Sequence, residues 1–396
     1  MLKYSTAGES HGKALVSIIE GIPAGLNISS GEINQQLQRR QKGYGRGGRM
    51  SIESDEVEIL SGVRAGHTTG SPIAISIRNR DWENWQEIMA VETTPYSEER
   101  VVKRPRPGHA DLPGAMKYNH ADMRNVLERA SARETASRVA AGAFFRAFLK
   151  CFNIYIYSQV ISIGEVRGAV PEFVSSQGLA AWQEQVEASA VRCPDKTKEA
   201  LMIEAIDHAR QTGESLGGSF EVGAVGVPPG LGTYTCWENR LDARLSGLLM
   251  TIPAIKAVEI GDGISSASSP GSMVHDEIHF QEDRGVFRLS NRAGGIEGGI
   301  SNGETVWARA YMKPIPTLYK PLISVNTEMW VEQKADVERS DICAVPAASV
   351  VGEAMLAYGL AAAFLDKFGG DFMEQIKESY DCYGEYLRKV WRWEKI

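Results

Sequence analysis

Two histidines stand in settings that would hold a side chain still beside an anion. In "AGESHG", Gly8 and Gly12 flank Ser10 and His11. Glycines there let the backbone bend sharply and approach a ligand closely. In "RPRPGHADLPG", residues 104–114, His109 lies among Arg104, Arg106, Asp111 and several prolines. Proline stiffens the chain that carries the ring, and histidine, with an ordinary pKa of about 6.5, exchanges protons nearest neutrality. The chemistry these stretches suit is proton transfer at a fixed group next to a phosphate or carboxylate.

Cations that could hold such an anion are close by. "RRQKGYGRGGRM" contributes Arg39, Arg40, Arg46 and Arg49. A guanidinium offers a planar fork that matches phosphate and carboxylate bidentately, and successive glycine N–H groups can add an anion-binding nest. A phosphate monoester is close to dianionic at neutral pH, so it rewards more than one cation. The glycine pattern is no dinucleotide fingerprint, because a strand-like stretch follows it where a helix should. Behind His109 come Lys117, Arg124, Arg129, Ser131 and Arg133 in an alanine-rich pattern that predicts a helix over about 121–151. Arg129 and Arg133 would share one face of it, at a cost of about a few tenths of a kcal/mol unless an anion lies between them.

Two later stretches have the same character. "NRAGGIEGGISNGE" crowds glycines around Glu297, and "KPIPT" follows at Lys313–Thr317. "ERSDICAVPAASVVGEAM" puts Arg339 and Asp341 just ahead of a helix start, where anions are favoured. "HDEIH" spaces His275 and His279 four apart, but in a glycine-serine setting without the H-E-x-x-H order, so no metal is expected.

The elements that must carry these residues can be read from periodicity. Strands are expected at 13–19, 50–60, 73–78, 154–163, 218–227, 255–260 and 305–312. Helices are expected at 31–41, 121–151, 196–211, from Pro346 to Phe368, and at 371–393. The last of these puts Phe372, Ile376, Tyr380, Tyr383, Leu387 and Trp391 on one stripe. Several strands follow one another without a crossover helix, which favours an α+β arrangement in one large domain spanning residues 1–396.

Bulk composition narrows the class. The chain has 396 residues and a net charge of −7. Residues 1–150 carry +4 and the remainder −11, so a basic site sits in an acidic protein. The Arg-Gly segment also fits RNA binding, but the acidic total and the lack of repeated Arg-Gly units speak against nucleic acid. Five scattered cysteines without a C-x-x-C pair favour reduced thiols and a cytoplasmic location. No leader pattern is evident, and no apolar run is expected to approach the ~20 residues needed to span a bilayer.

Together, "AGESHG", "RRQKGYGRGGRM", "LSGVRAGHTTGSPIA", "RPGHADLPGAMKY", "DMRNVLERASARETASRVAAGA", "GGIEGGISNGE", "KPIPT" and "RSDICAVPA" resemble the chorismate synthase family, in that family's order and over nearly the whole chain. The resemblance implies a β-α-β sandwich assembled as a homotetramer. It also implies a trans-1,4-elimination of phosphate from 5-enolpyruvylshikimate 3-phosphate, giving chorismate with reduced FMN and no net redox change. The family's proton is lost from a weakly activated ring carbon, so the cofactor carries the hard step and the protein positions it.

Residue roles follow from the same resemblance. His11 matches the histidine that protonates the departing phosphate, and His109 the one beside the reduced flavin. Asp341 matches an aspartate assisting the flavin, and Ser10 and Ser131 match serines of the proton network. Arg39, Arg46, Arg49, Arg133 and Arg339 would hold the substrate's phosphate and carboxylates. Arg129, Ala130, Ser131, Ala254, Gly298, Lys313, Pro314, Ile315, Pro316, Thr317 and Arg339 match flavin-contacting positions. In the family's bifunctional members Arg40 and Arg46 would meet a nicotinamide nucleotide, NADPH. The absence of large inserts looks instead like the monofunctional type, which relies on an external flavin reductase. Two positions depart from the pattern: Pro253 stands where glutamine is usual, and Ala347 where arginine is common.

Overall fold

The computed structural model describes residues 1–47, 54–96, 98–168, 178–338 and 340–394. Two antiparallel sheets enclose a helical layer. In the first sheet the strands run in the order Lys3–Ala7, Ala14–Glu20, Ile73–Arg78, Val57–Ile59. The second runs Ile255–Ile260, Val306–Met312, Gly218–Val225, Tyr155–Ile163, Val166–Arg167. Helices Ser30–Gln41 and Thr135–Lys150 pack on the first sheet, and helix Val345–Phe368 packs on the second. The helices also pack on one another, completing the β-α-β sandwich.

Apolar side chains from both sheets and all three helices form one continuous cluster, from Leu2 to Ile376. Small residues set its thickness. A Cβ on Gly142 would lie 2.4 Å from the Ala354 Cβ, so the two central helices meet nearly backbone to backbone there. On the other side of the Val345–Phe368 helix, a Cβ on Gly352 would strike Phe220 and Val222 of the second sheet. The chain end is latched as well: Trp393 lies over Gly303, and its backbone bridges to Gly285.

Most expected elements form where periodicity places them. Of the strand expected at 50–60, residues 50–53 lie outside the described part, and the remainder pairs only over Val57–Ile59. The helix expected over 121–151 is broken. Arg124–Ala130 is one helix, Ala132–Glu134 a 3-10 turn, and Thr135–Lys150 a second helix. The break falls at Ser131, whose extended backbone and side chain cap the following turn by accepting from the Arg133 N–H. Arg129 and Arg133 therefore do not share a helix face.

The expectation about apolar runs also needs correcting. Val345–Phe368 has 24 residues and is long and apolar enough to cross a membrane by composition. It is the helix at the centre of the sandwich, buried along most of its length. On the C-terminal helix Met373–Trp391, Ile376 and Leu387 are buried as the stripe predicts, but Trp391 is exposed.

Candidate active site

The loop carrying Ser10 and His11 is fastened to the Arg124–Ala130 helix. The Ser10 N–H donates to the Glu128 carbonyl at 3.0 Å. The His11 N–H donates to Glu128 Oε2 at 2.8 Å, and His11 Nδ1 lies 2.8 Å from Oε1. The His11 ring stacks on Trp85, with centroids 3.9 Å apart and planes 23° apart. Burial alone would raise the Glu128 carboxyl, but its bonds from His11 and the charge of Arg124 hold it below the usual range. Ser131 joins this group by donating its hydroxyl to Ser10 Oγ at 3.1 Å.

Asn79 connects that group to a cluster of arginines. Its amide nitrogen donates to the Glu9 and Gly12 carbonyls, at 3.1 and 2.7 Å, and its oxygen accepts from Arg133 Nε at 2.9 Å. Arg133 Nη1 meets Asp55 Oδ1 at 2.5 Å, and Arg40 Nη2 meets Asp55 Oδ2 at 2.8 Å. Arg46 pairs with Asp341 at 3.1 Å, and the Gly47 N–H donates to the same carboxylate at 2.7 Å. Burial, with Arg46 and Arg133 nearby, pushes the Arg40 guanidinium down to about 10 despite the attraction of Asp55. Among the described residues, Asp55 and Asp341 are the carboxylates that meet these three guanidiniums, and the Nε of Arg40 is buried without a hydrogen-bond partner. An anion in this place would be drawn by the clustered cations.

The His109 loop folds against the Lys313–Thr317 segment. His109 Nδ1 lies 2.5 Å from Asp111 Oδ1. Arg106 grips the same carboxylate through Nε at 2.8 Å and reaches the Thr317 hydroxyl at 2.9 Å. Burial would raise the Asp111 carboxyl, but His109 and Arg106 hold it well below the usual carboxylate range. Lys313 donates its ammonium to the Gly108 carbonyl and its backbone N–H to the Ala254 carbonyl. Ala254 has φ +68°, a left-handed conformation that is uncommon for a residue with a side chain. The structure so brings together Ala254, Lys313–Thr317 and His109.

One segment runs past all three groups. Asp336 pairs with Arg104 of the His109 loop. Glu338 pairs with Arg124 beside His11, at 3.2 Å. Asp341 pairs with Arg46 of the arginine cluster.

Other expected residues fall elsewhere. All five donors of Arg39 are committed inside the protein, to Gln36, Glu187 and Glu353. Arg40 is only 3% exposed against Asp55, so it supplies charge from within and offers no surface to a nucleotide. Arg129 is exposed and donates to the Thr6 and Gly8 carbonyls, next to Ala130 and Ser131. Gly298 turns at the tip of the hairpin formed by Ile296–Glu297 and Ile300–Ser301, with open space where a Cβ would project. Arg49 and Arg339 lie outside the described residues. Ala347 is buried in the first turn of its helix. Asp276, from the "HDEIH" stretch, accepts from Ser290 and from the Arg292 and Ala293 N–H groups, so it organises a loop.

Glu128, Asp55 and Asn79 stand out only in three dimensions. Sequence reading passes them over because each is an ordinary polar residue whose partners lie far along the chain. Glu128 sits within the quoted "RNVLERASARE" stretch and is the one a search for carboxylates near histidine could have flagged.

Comparison with known proteins places the whole chain in one family. A family model described as chorismate synthase matches residues 2–365. The chain is 64% identical over 396 residues to a chorismate synthase from Syntrophomonas wolfei, covering all of both chains. It is 55% identical over 391 residues to one from Aquifex aeolicus, covering 98% of each. A crystal structure of a chorismate synthase superposes with a TM-score of 0.80 at 46% identity, over 98% of this chain and 99% of that one.

Proposed function

Because the chain belongs to the chorismate synthase family and is a lyase of that kind, we propose that it eliminates phosphate from 5-enolpyruvylshikimate 3-phosphate in the trans-1,4 sense to give chorismate. The observation that carries this reading is the convergence of Arg40, Arg46 and Arg133 around Asp55 and Asp341, joined through Asn79 to the loop of His11, which rests on the buried Glu128.

Arg46 and Arg133 bind the anionic substrate, with Arg40 adding field from behind. His11 donates a proton to the phosphate as it leaves, and Ser10 and Ser131 form a hydroxyl chain beside it. Reduced FMN, when bound, would supply the electron-rich ring that an elimination from a weakly activated carbon needs, without net redox change. Residues here fit such a group: Ala254, Lys313–Thr317 and Arg129–Ser131 would hold it, and the left-handed backbone of Ala254 is tied to this segment by the Lys313 N–H. His109 holds a proton near this cofactor, kept in place by Asp111 and Arg106. Asp341, fixed by Arg46 and the Gly47 N–H, holds the opposite end of the proton path. Arg39 is assigned to the framework, since its donors are used up.

We further assign the chain to a cytoplasmic homotetramer supplied with reduced flavin by another enzyme. The exposed Ile278, Phe280 and Leu289 on one hairpin, and Ile323, Met329 and Trp330 on another, support self-association.

The test is an anaerobic reaction with chemically reduced FMN and 5-enolpyruvylshikimate 3-phosphate. Chorismate and phosphate should appear in equal amounts, vanish with oxidised FMN, and fall by about 10²-fold or more in His109→Ala. NADPH without a reductase should give no product. Binding of flavin and substrate without chorismate would overturn the assignment.

A further inference from the structure

His11 stands on a loop bounded by glycines, which by itself would let the ring swing. One residue prevents this. Glu128 takes the Ser10 N–H on its carbonyl and the His11 N–H on its carboxylate, and its Oε1 and Oε2 lie 2.8 and 3.1 Å from His11 Nδ1. The carboxylate is itself fixed by Arg124 Nη1 at 3.2 Å, and the other end of that guanidinium reaches Glu338. Trp85 closes the remaining freedom by stacking on the ring, and Arg100 and Arg124 pack over the indole at 4.2 and 5.0 Å.

An ionised carboxylate only accepts hydrogen bonds. Its close approach to Nδ1 therefore requires the proton on that nitrogen, because two lone pairs would otherwise face each other in a buried site. Proton exchange is then left to Nε2. This is the logic by which a buried carboxylate orients a catalytic histidine in hydrolytic triads.

We propose that Glu128 is the positioning residue of His11: it keeps a proton on Nδ1 and fixes the ring plane, so that the doubly protonated ring gives its Nε2 proton to the departing phosphate and is left as the neutral Nδ1–H tautomer. The inference rests on the elimination proposed above. It adds a residue that acts through His11 and touches no substrate.

The experiment uses full-length protein labelled with ¹⁵N-histidine, loaded with reduced FMN, as wild type and as Glu128→Gln. Long-range ¹H–¹⁵N spectra at neutral pH, assigned by the signals lost in His11→Ala, read the tautomer directly. Wild-type His11 should be protonated on Nδ1 in both its charged and its neutral forms, and the neutral ring of the variant should shift toward Nε2–H. Anaerobic turnover of 5-enolpyruvylshikimate 3-phosphate should drop about 10²–10³-fold in kcat, with KM held within about twofold.

A neutral wild-type His11 protonated on Nε2 alone would overturn the proposal even if the variant did not fold. So would a variant kcat within about threefold of wild type, or a loss carried by KM alone, which marks a structural tether. Failure of the wild type itself to make chorismate would sink the elimination, and the wild-type spectrum would still judge Glu128.

Discussion

Asp55 lies between two buried guanidiniums, Arg40 and Arg133, and both hold its carboxyl below the ordinary range although burial would raise it. Asp55→Asn would leave two desolvated cations with an amide between them. Breaking a buried pair in this way costs about 3–5 kcal/mol, so the melting temperature should fall markedly. Inorganic phosphate should restore more of that loss in the variant than it adds to the wild type, because the site then carries greater positive charge. Thermal melts with and without phosphate read both effects, and equal gains would contradict an anion site there. The histidines, serines and most arginines of this site are readable in sequence because glycine, proline and arginine cluster around them. Asp55 and Asn79 are not, since neither has an unusual neighbour in the chain and both meet Arg133, more than fifty residues away.

Glu353 shows how elements are tied together. From the central helix Val345–Phe368 it meets Arg39 of helix Ser30–Gln41, Arg146 of helix Thr135–Lys150, Ser158 of strand Tyr155–Ile163, and Arg192. Burial would raise its carboxyl, but Arg39, Arg146 and Arg192 hold it down at about 2, against an ordinary 4.5. A depressed folded value means the stabilisation is complete above about 4.5 and is lost as pH falls from there toward 2. Urea titrations across that window should show stability dropping with acid, and Glu353→Gln should flatten the slope while destabilising the protein at neutral pH. The two central helices make a second prediction. Gly142→Ala should gain about 1 kcal/mol in helix propensity yet lose about 1–3 kcal/mol by forcing its Cβ onto Ala354. A net stabilisation in chemical denaturation would contradict the close approach. Apolar periodicity foretells most of these elements because each buries one face against the core. It misses the interruption at Ser131, since a side-chain cap can stop a helix inside an otherwise unbroken alanine-rich pattern. Helices Leu179–Ala188 and Leu241–Met250 also escape, being only 10 residues each.

Across the whole molecule a net charge of −7 surrounds a cationic site. Affinity for a substrate bearing phosphate and carboxylates should therefore weaken with ionic strength, as the attraction of the local arginines is screened over about 8–10 Å. A KM that stays flat between low and physiological salt would mean that contact bonds alone hold the substrate. The order of the layers bears on how the protein comes to exist at all. The helix at the centre of the sandwich is Val345–Phe368, and the first strand already reaches it, with Tyr4 donating to Met355 across 351 positions. During synthesis, at about 5–20 residues per second, both sheets leave the ribosome before the piece that lies between them. The first sheet has helices Ser30–Gln41 and Thr135–Lys150 to cover it, but the second, complete at Met312, waits about 3–11 s with its inner face open until Val345–Phe368 has been made. Closure of the core therefore waits on a helix made late in the chain, and until then the open face of the second sheet is what must be kept from other chains.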